Sequence, residues 1–232
     1  MDMASMTDEQ REFMMQFFQA NMKREKADKV ERFRHLNKFV KPGQILFCGS
    51  SLMEQFPIYE FLLDFDLPYT IYNRGVGGYT TSEMYETLDA CVYDLKPRHV
   101  FINIGTNDLN TPDYSKETLI ANYRRILDGI ISHLPGVKLH LLAYYPINEK
   151  ITEGTPMNEV FKQRTNARID EANEAVAELA AEIGAEYHDL NAGITDADGR
   201  LKAEYTIEGM HMYGDGYKPV LDALLPILRE LD

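Results

Sequence analysis

A chain of 232 residues that is 44% hydrophobic and 26% charged can form a sizeable core, which argues against disorder and against a coiled coil. Its formal net charge of −13 repels nucleic-acid phosphates and anionic lipid, so neither is an expected partner. No apolar run approaches the ~20 residues of a membrane span, and Met1–Asp8 has no export signal. We therefore expect a cytoplasmic protein whose two cysteines, Cys48 and Cys91, are buried thiols.

The first predicted element is a long helix that begins at a capping box, Thr7–Gln10, and extends to about Phe39. We treat residues 1–40 as an N-terminal helical extension of one domain that spans residues 1–232. Phe13, Phe17 and Met22 recur at helical spacing, and this apolar stripe predicts a homodimer. The pattern also fits packing against the core or a cover near the functional site, and it does not decide among these roles.

After residue 40, strands and helices alternate. The predicted strands are Gln44–Cys48, Tyr69–Val76, His99–Ile104, Lys138–Tyr145 and Glu186–Leu190. The predicted helices are Met53–Leu63 (interrupted by Pro57), Thr80–Leu95, Ser115–Leu134, Asn158–Ile183 and Tyr217–Leu231. This alternation predicts an α/β fold of three layers, with a flavodoxin-like parallel sheet of five strands in the order 2-1-3-4-5.

Glycine interrupts the chain at the ends of three predicted strands: Gly49-Ser50-Ser51, Gly75-Val76-Gly77-Gly78 and Gly105-Thr106-Asn107-Asp108. In the order 2-1-3-4-5 these are the carboxyl ends of neighbouring strands, so they share one crevice. A fourth segment, Glu208-Gly209-Met210-His211, places a carboxylate three residues before a histidine. The chain after Leu190 is long enough to bring this segment back across the sheet to the crevice.

A serine at such a strand end is a nucleophile only if a base, an orienting carboxylate and oxyanion donors converge on it. The four segments together resemble the SGNH (GDSL-type) hydrolase superfamily, in order and across most of the chain. The resemblance implies that Ser51 is the nucleophile and His211 the base. It also implies an oxyanion hole formed by Ser51, Gly78 and Asn107.

Two positions depart from the superfamily pattern. Glu208 stands where the superfamily has an aspartate three residues before the histidine, and a glutamate can orient an imidazole in the same way. Ser50 replaces the aspartate that precedes the nucleophile. Losing that carboxylate could loosen the loop that places the Ser51 amide, which leaves a catalytically weakened, ligand-binding member as one alternative.

The resemblance implies a serine esterase that hydrolyses short-chain esters, acetyl esters above all, of small or carbohydrate-like alcohols through an acyl-enzyme. It implies neither a metal nor another cofactor. A lysophospholipase or thioesterase of the same superfamily is the alternative enzyme. The remaining histidines lack metal-ligand spacing and are expected at surface or core positions: His35, His99, His133, His140 and His188.

Overall fold

The computed structural model describes residues 7–111, 113–152 and 157–231. Five parallel strands form one sheet in the order β2-β1-β3-β4-β5. Their bounds are β1 Ile45–Gly49, β2 Ile71–Gly75, β3 His99–Asn103, β4 Lys138–Leu142 and β5 Glu186–His188. The α/β class and the strand order predicted from the sequence are confirmed. The prediction that Met1–Asp8 has no export signal concerns mainly residues 1–6, which lie outside the described residues.

Helices cover both faces of the sheet. Their bounds are α1 Asp8–Leu36, α2 Ser51–Glu54, α3 Ile58–Asp64, α4 Thr81–Tyr85, α5 Leu88–Cys91, α6 Lys116–His133, α7 Met157–Phe161, α8 Asn166–Ile183 and α9 Gly214–Glu230. Alternate strand residues face opposite layers. Leu46 and Cys48 pack with α4–α6 and α8, while Ile45 and Phe47 pack with α2, α3 and α9. The two cysteines are free and buried.

Several predicted elements are shorter or more interrupted than the sequence pattern indicates. Thr80–Leu95 is divided into α4, α5 and a 3₁₀ turn, and Met53–Leu63 into α2 and α3. Asn158–Ile183 is also not one helix, because Thr165 has an extended backbone and its side chain caps α8. Strand β4 ends before Tyr144, whose main-chain groups bond to asparagine side chains instead of to a neighbouring strand.

Helix α1 has two different halves. In its second half Val30 is buried, Arg34 pairs with Asp89, and Asn37 just beyond the helix binds the carbonyl of Ala90. In the first half, every residue from 7 to 21 is exposed. Core packing therefore applies to the second half alone. Among the helices of the described residues, none combines the length and apolar character that crossing a bilayer requires.

Three histidines from adjacent strands form a hydrogen-bonded row. His99 Nδ1 lies 3.0 Å from His140 Nε2, and His140 Nδ1 lies 3.0 Å from His188 Nε2. His140 is fully buried and stacks on Phe101, with ring centroids 4.2 Å apart. Burial, and then the neighbouring His188, His99 and Lys138, lower the pKa of His140 to about 3. Of the surface or core positions expected for the histidines, His140 occupies a core position, and its imidazole is neutral.

The pKa shift of His140 makes the stability of the fold depend on pH. Between about pH 6.5 and about pH 3 the unfolded chain binds a proton at His140 that the folded chain excludes, so the free energy of unfolding should fall as the pH is lowered. Urea unfolding at about pH 7 and about pH 5 should give a smaller pH difference for His140→Leu than for the wild type. His35→Gln, at an exposed position, should behave as the wild type. If the free energy of unfolding of His140→Leu changed with pH as much as that of the wild type, the pH dependence could not be attributed to His140.

Candidate active site

Ser51 lies where β1 passes into α2. Gly49 ends β1 with a φ of +144°, and a Cβ there would lie 2.0 Å from the Asn103 carbonyl oxygen of β3. Only glycine fits this close approach. Ser51 is the first residue of α2, and its Oγ lies 2.8 Å from Nε2 of His211. The nucleophile and base implied by the resemblance are therefore in direct contact.

His211 is presented by a tight hairpin. Thr206 pairs with Met212, and the Thr206 hydroxyl donates to the His211 carbonyl and accepts from the Gly209 amide. The N–H of Asn148, in the loop after β4, donates to the Gly209 carbonyl at 2.7 Å. Gly209 has a φ of +93°, and a Cβ there would lie 2.6 Å from the Asn148 carbonyl oxygen. The hairpin is thus fastened to the carboxyl end of the sheet.

Glu208 sets the protonation pattern of the histidine. Its Oε1 contacts His211 Nδ1 and accepts the His211 backbone N–H at 3.1 Å. Burial raises the pKa of Glu208, but its hydrogen bonds with His211 and the attraction of that ring outweigh burial and hold the pKa below its usual value. An ionised carboxylate only accepts hydrogen bonds, so Nδ1 carries the proton. In the neutral ring Nε2 is then free to accept the proton of Ser51.

The implied oxyanion donors lie on the loops that follow β1, β2 and β3. In the part of the chain that the structure describes, the backbone N–H groups of Ser51 and Gly78 donate to no other residue. Gly78 has a φ of +72°, and its carbonyl accepts from Lys26 Nζ at 2.8 Å. Asn107 Nδ2 donates one hydrogen to the Tyr79 carbonyl at 2.8 Å and retains a second. All three groups thus retain an N–H for a ligand.

Sequence reasoning missed Arg164. Its side chain is buried, with Nη2 donating to Asn107 Oδ1 at 2.8 Å and Nε to Asn110 Oδ1 at 2.9 Å. The bond from Nη2 holds Asn107 Oδ1 toward the arginine, so the Nδ2 group of Asn107 points away from it. No local pattern marks Arg164 as a site residue; Thr165, which caps α8, indicates only that a helix can begin there.

Arg164 is a buried cation among carboxylates. Burial lowers its pKa to about 10, and the charges of Glu208 and Asp108 oppose that decrease. Burial raises the pKa of Asp108 as well, although hydrogen bonds from the Thr81 hydroxyl and amide resist this change. The guanidinium therefore keeps its charge at neutral pH, next to the amide that the resemblance assigns to the oxyanion hole.

Helix α1 forms one wall of a cavity of about 240 Å³ beside Ser51. Met22, Glu25, Lys26 and Lys29 of α1 line it, together with Glu54, Gln55, Val76 and Gly77. Lys26 also binds Glu83 at 2.7 Å, and Lys29 pairs with Glu54, which accepts the Gly77 N–H. The second half of α1 is thus a cover near the site. Met22 lines this cavity and is half-buried, whereas Phe13 and Phe17 of the predicted stripe are exposed.

Ser50 does not contribute its hydroxyl to this arrangement. The residue is fully buried, and within the described residues its Oγ has no hydrogen-bond partner. Its backbone holds the turn, since the N–H donates to the Asn103 carbonyl at 3.2 Å and the carbonyl accepts from the Glu54 amide at 2.9 Å. The turn at Ser51 is therefore closed without a carboxylate at position 50.

Within the described residues, one group of side chains has metal-ligating atoms close together. Atoms of His140, Glu186 and His188 lie within 4.8 Å of one another. They belong to β4 and β5, and the two imidazole nitrogens are hydrogen-bonded to each other. This group is separate from the three loops that surround Ser51.

Comparisons with known proteins give consistent matches. A model of the GDSL-like lipase/acylhydrolase family matches residues 48–218. Platelet-activating factor acetylhydrolase IB subunit alpha2 of Rattus norvegicus is 23% identical over 84% of this chain and 83% of its own length. A structure from Streptococcus pneumonia, provisionally assigned as a platelet activating factor, is 30% identical with a TM-score of 0.82, over 93% of this chain and 98% of that one. An acetylxylan esterase from Geobacillus stearothermophilus, solved as a catalytic mutant, shares the fold at 17% identity with a TM-score of 0.60, over 81% of this chain and 94% of that one.

The contacts of Arg164 predict that it acts through Asn107. Loss of one oxyanion-hole donor costs about 10²–10³ in kcat, and Arg164→Met should approach that loss in ester hydrolysis, with KM changed less. In an Asn107→Ala background, Arg164→Met should cost little more, because the two residues act as one unit. Arg164→Lys should recover part of kcat. Circular dichroism checks the fold, and fully multiplicative losses in the double variant would contradict the positioning role.

Proposed function

The chain belongs to the GDSL-like lipase/acylhydrolase family of carboxylic ester hydrolases, and we propose that it removes short acyl groups, acetyl above all, from small or carbohydrate-like alcohols. The observation that carries the proposal is the contact chain from Ser51 Oγ through His211 to Glu208, with 2.8 Å between Oγ and Nε2. Ser51, His211 and Glu208 are the proposed catalytic triad.

In the proposed mechanism, Ser51 Oγ attacks the ester carbonyl carbon while His211 Nε2 takes its proton. Glu208 stabilises the imidazolium that forms. The backbone N–H groups of Ser51 and Gly78 and the Asn107 amide donate to the negative oxygen of the tetrahedral intermediate. His211 then protonates the departing alcohol, which leaves an acyl-enzyme on Ser51. A water molecule, deprotonated by His211, hydrolyses this ester and regenerates the serine.

The size and lining of the cavity support short acyl groups and polar alcohols. Ligand pockets usually measure roughly 300–1,000 Å³, whereas the cavity beside Ser51 measures about 240 Å³. Charged or amide side chains make up much of its wall, among them Glu25, Glu54 and Gln55. The names of two similar proteins, an acetylhydrolase and an acetylxylan esterase, support acetyl as the acyl group.

The two alternatives receive less support. A lysophospholipase or thioesterase needs a long apolar channel for its acyl chain, whereas the cavity at Ser51 is small and most of the residues that line it are charged or polar. A non-catalytic, ligand-binding member was suggested by Ser50. However, the turn at Ser51 is closed by backbone bonds, and the three triad residues remain in contact.

The proposal includes small-molecule esters as the partners of the site. We also place the protein in the cytoplasm, and the two free thiols support a reducing compartment. The homodimer indicated by the apolar residues of α1 remains a prediction.

Hydrolysis of p-nitrophenyl acetate tests the function directly. Ser51→Ala should abolish turnover, because no other hydroxyl contacts His211 Nε2 among the described residues. Ser50→Ala is the matched control: it removes a buried hydroxyl that has no partner among the described residues, so activity should fall by less than about tenfold and stability should hold or rise. Equal losses in the two variants would overturn the choice of nucleophile, and an inactive wild type would favour the ligand-binding alternative.

Chain-length dependence tests the acyl preference. For p-nitrophenyl esters from acetate to dodecanoate, kcat/KM should be highest for acetate and should fall at least about tenfold by octanoate, because a cavity of this size does not enclose the longer chain. A maximum at long chains would contradict the short-acyl proposal and favour the lysophospholipase or thioesterase. Ser51→Ala provides the background rate for every ester.

A further inference from the structure

The first half of α1 stands clear of its own domain. We call residues 7–21 the α1 arm, and every one of them is exposed. The arm is roughly 22 Å long at the α-helical rise. Its hydrogen-bonded side chains bond locally, as in the capping box of Thr7 with Gln10 and the pair of Arg11 with Asp8. A helix of this length is marginal in water without packing.

The α1 arm carries a dense group of large apolar side chains. They occupy five of the six positions from 13 to 18 and are between 47% and 67% exposed: Phe13, Met14, Met15, Phe17 and Phe18. A contiguous exposed patch of this kind marks an interaction surface. The arm is therefore built to be covered by a partner.

The pattern along the helix identifies that partner. Residues 11, 14, 18, 22 and 25 are spaced by three and four positions, so they share one helix face. Counted from Phe18, the stripe has residues four and seven positions away in both directions along the chain. Arg11 is at one end of the stripe and Glu25 at the other, with Met14 and Met22 between them and Phe18. A stripe of palindromic spacing with opposite charges at its ends is complementary to itself when reversed.

We propose that two copies of this chain pair through their α1 helices, antiparallel, with a two-fold axis at Phe18. Each Phe18 then packs on Phe18 of the partner subunit, and Met14 packs on Met22 of the partner subunit. Arg11 faces Glu25 of the partner subunit, and this ion pair occurs twice, as an isologous interface requires. Parallel pairing would instead place Arg11 on Arg11 and Glu25 on Glu25.

The pairing has a consequence for the cavity at Ser51. Met22 and Glu25 line that cavity, so the partner's α1 arm lies along its outer edge. The sequence pattern predicted Phe13, Phe17 and Met22 as the contact stripe. In this arrangement Phe18 forms the centre of the contact and Met22 belongs to it, whereas Phe13 and Phe17 project from other faces of the helix.

Sedimentation equilibrium of the full chain tests the pairing. The wild type should be a dimer at micromolar concentration, and Phe18→Glu should be a monomer. Phe39→Glu, at a phenylalanine that is 84% exposed outside the arm, should remain a dimer. A monomeric wild type, or a dimer that Phe18→Glu leaves intact, would overturn the proposal. A monomeric protein that co-sediments with phosphatidylcholine vesicles would also overturn the proposal, because the α1 arm would then bind a lipid surface.

Charge reversal tests the antiparallel register. Arg11→Glu should raise the dissociation constant of the dimer at least about tenfold, because two attractive pairs become repulsive. Adding Glu25→Arg to the same chain should restore the wild-type constant. A double variant that remains as weak as Arg11→Glu would overturn the register.

Discussion

The hydrogen bond between Ser51 and His211 joins residues that lie 160 positions apart, and the rest of the site depends on it. The sheet supplies one partner, because β1 can end against β3 only where Gly49 has no side chain. The hairpin around Gly209 supplies the other, because the Asn148 amide fastens it to the loop after β4. A glycine is needed at both points for the same reason, which is that another backbone oxygen occupies the space a Cβ would take.

Much of this arrangement could be read from the sequence. Strand order follows from alternating apolar strands and helices, and carboxyl ends of parallel strands meet at one edge, so the loops at Ser51, Gly78 and Asn107 were expected to share a crevice. The pairing of Glu208 with His211 follows from their spacing within one short loop. These are local patterns, or consequences of topology that hold for any chain of this fold class.

The features that were missed depend on tertiary contacts without a local pattern. Arg164 lies in a stretch that reads as continuous helix, and its partners Asn107 and Asn110 are more than fifty residues away. The row of His99, His140 and His188 arises from strand register, which the alternation of strands and helices does not specify. Helix α1 precedes the sheet, and no rule of the fold states where such a helix packs. Its second half forms a wall of the cavity, whereas its first half remains exposed.

Covalent labelling measures the central claim most directly, since the account requires that Ser51 alone has an oxygen activated by His211. The wild type and His211→Ala are treated with a fluorophosphonate, which reacts with activated serines, and the adduct is located by peptide mass mapping. We expect a single adduct on Ser51 in the wild type and a labelling rate at least about 10³-fold lower in His211→Ala. An adduct on Ser50, or equal labelling of the two proteins, would contradict it.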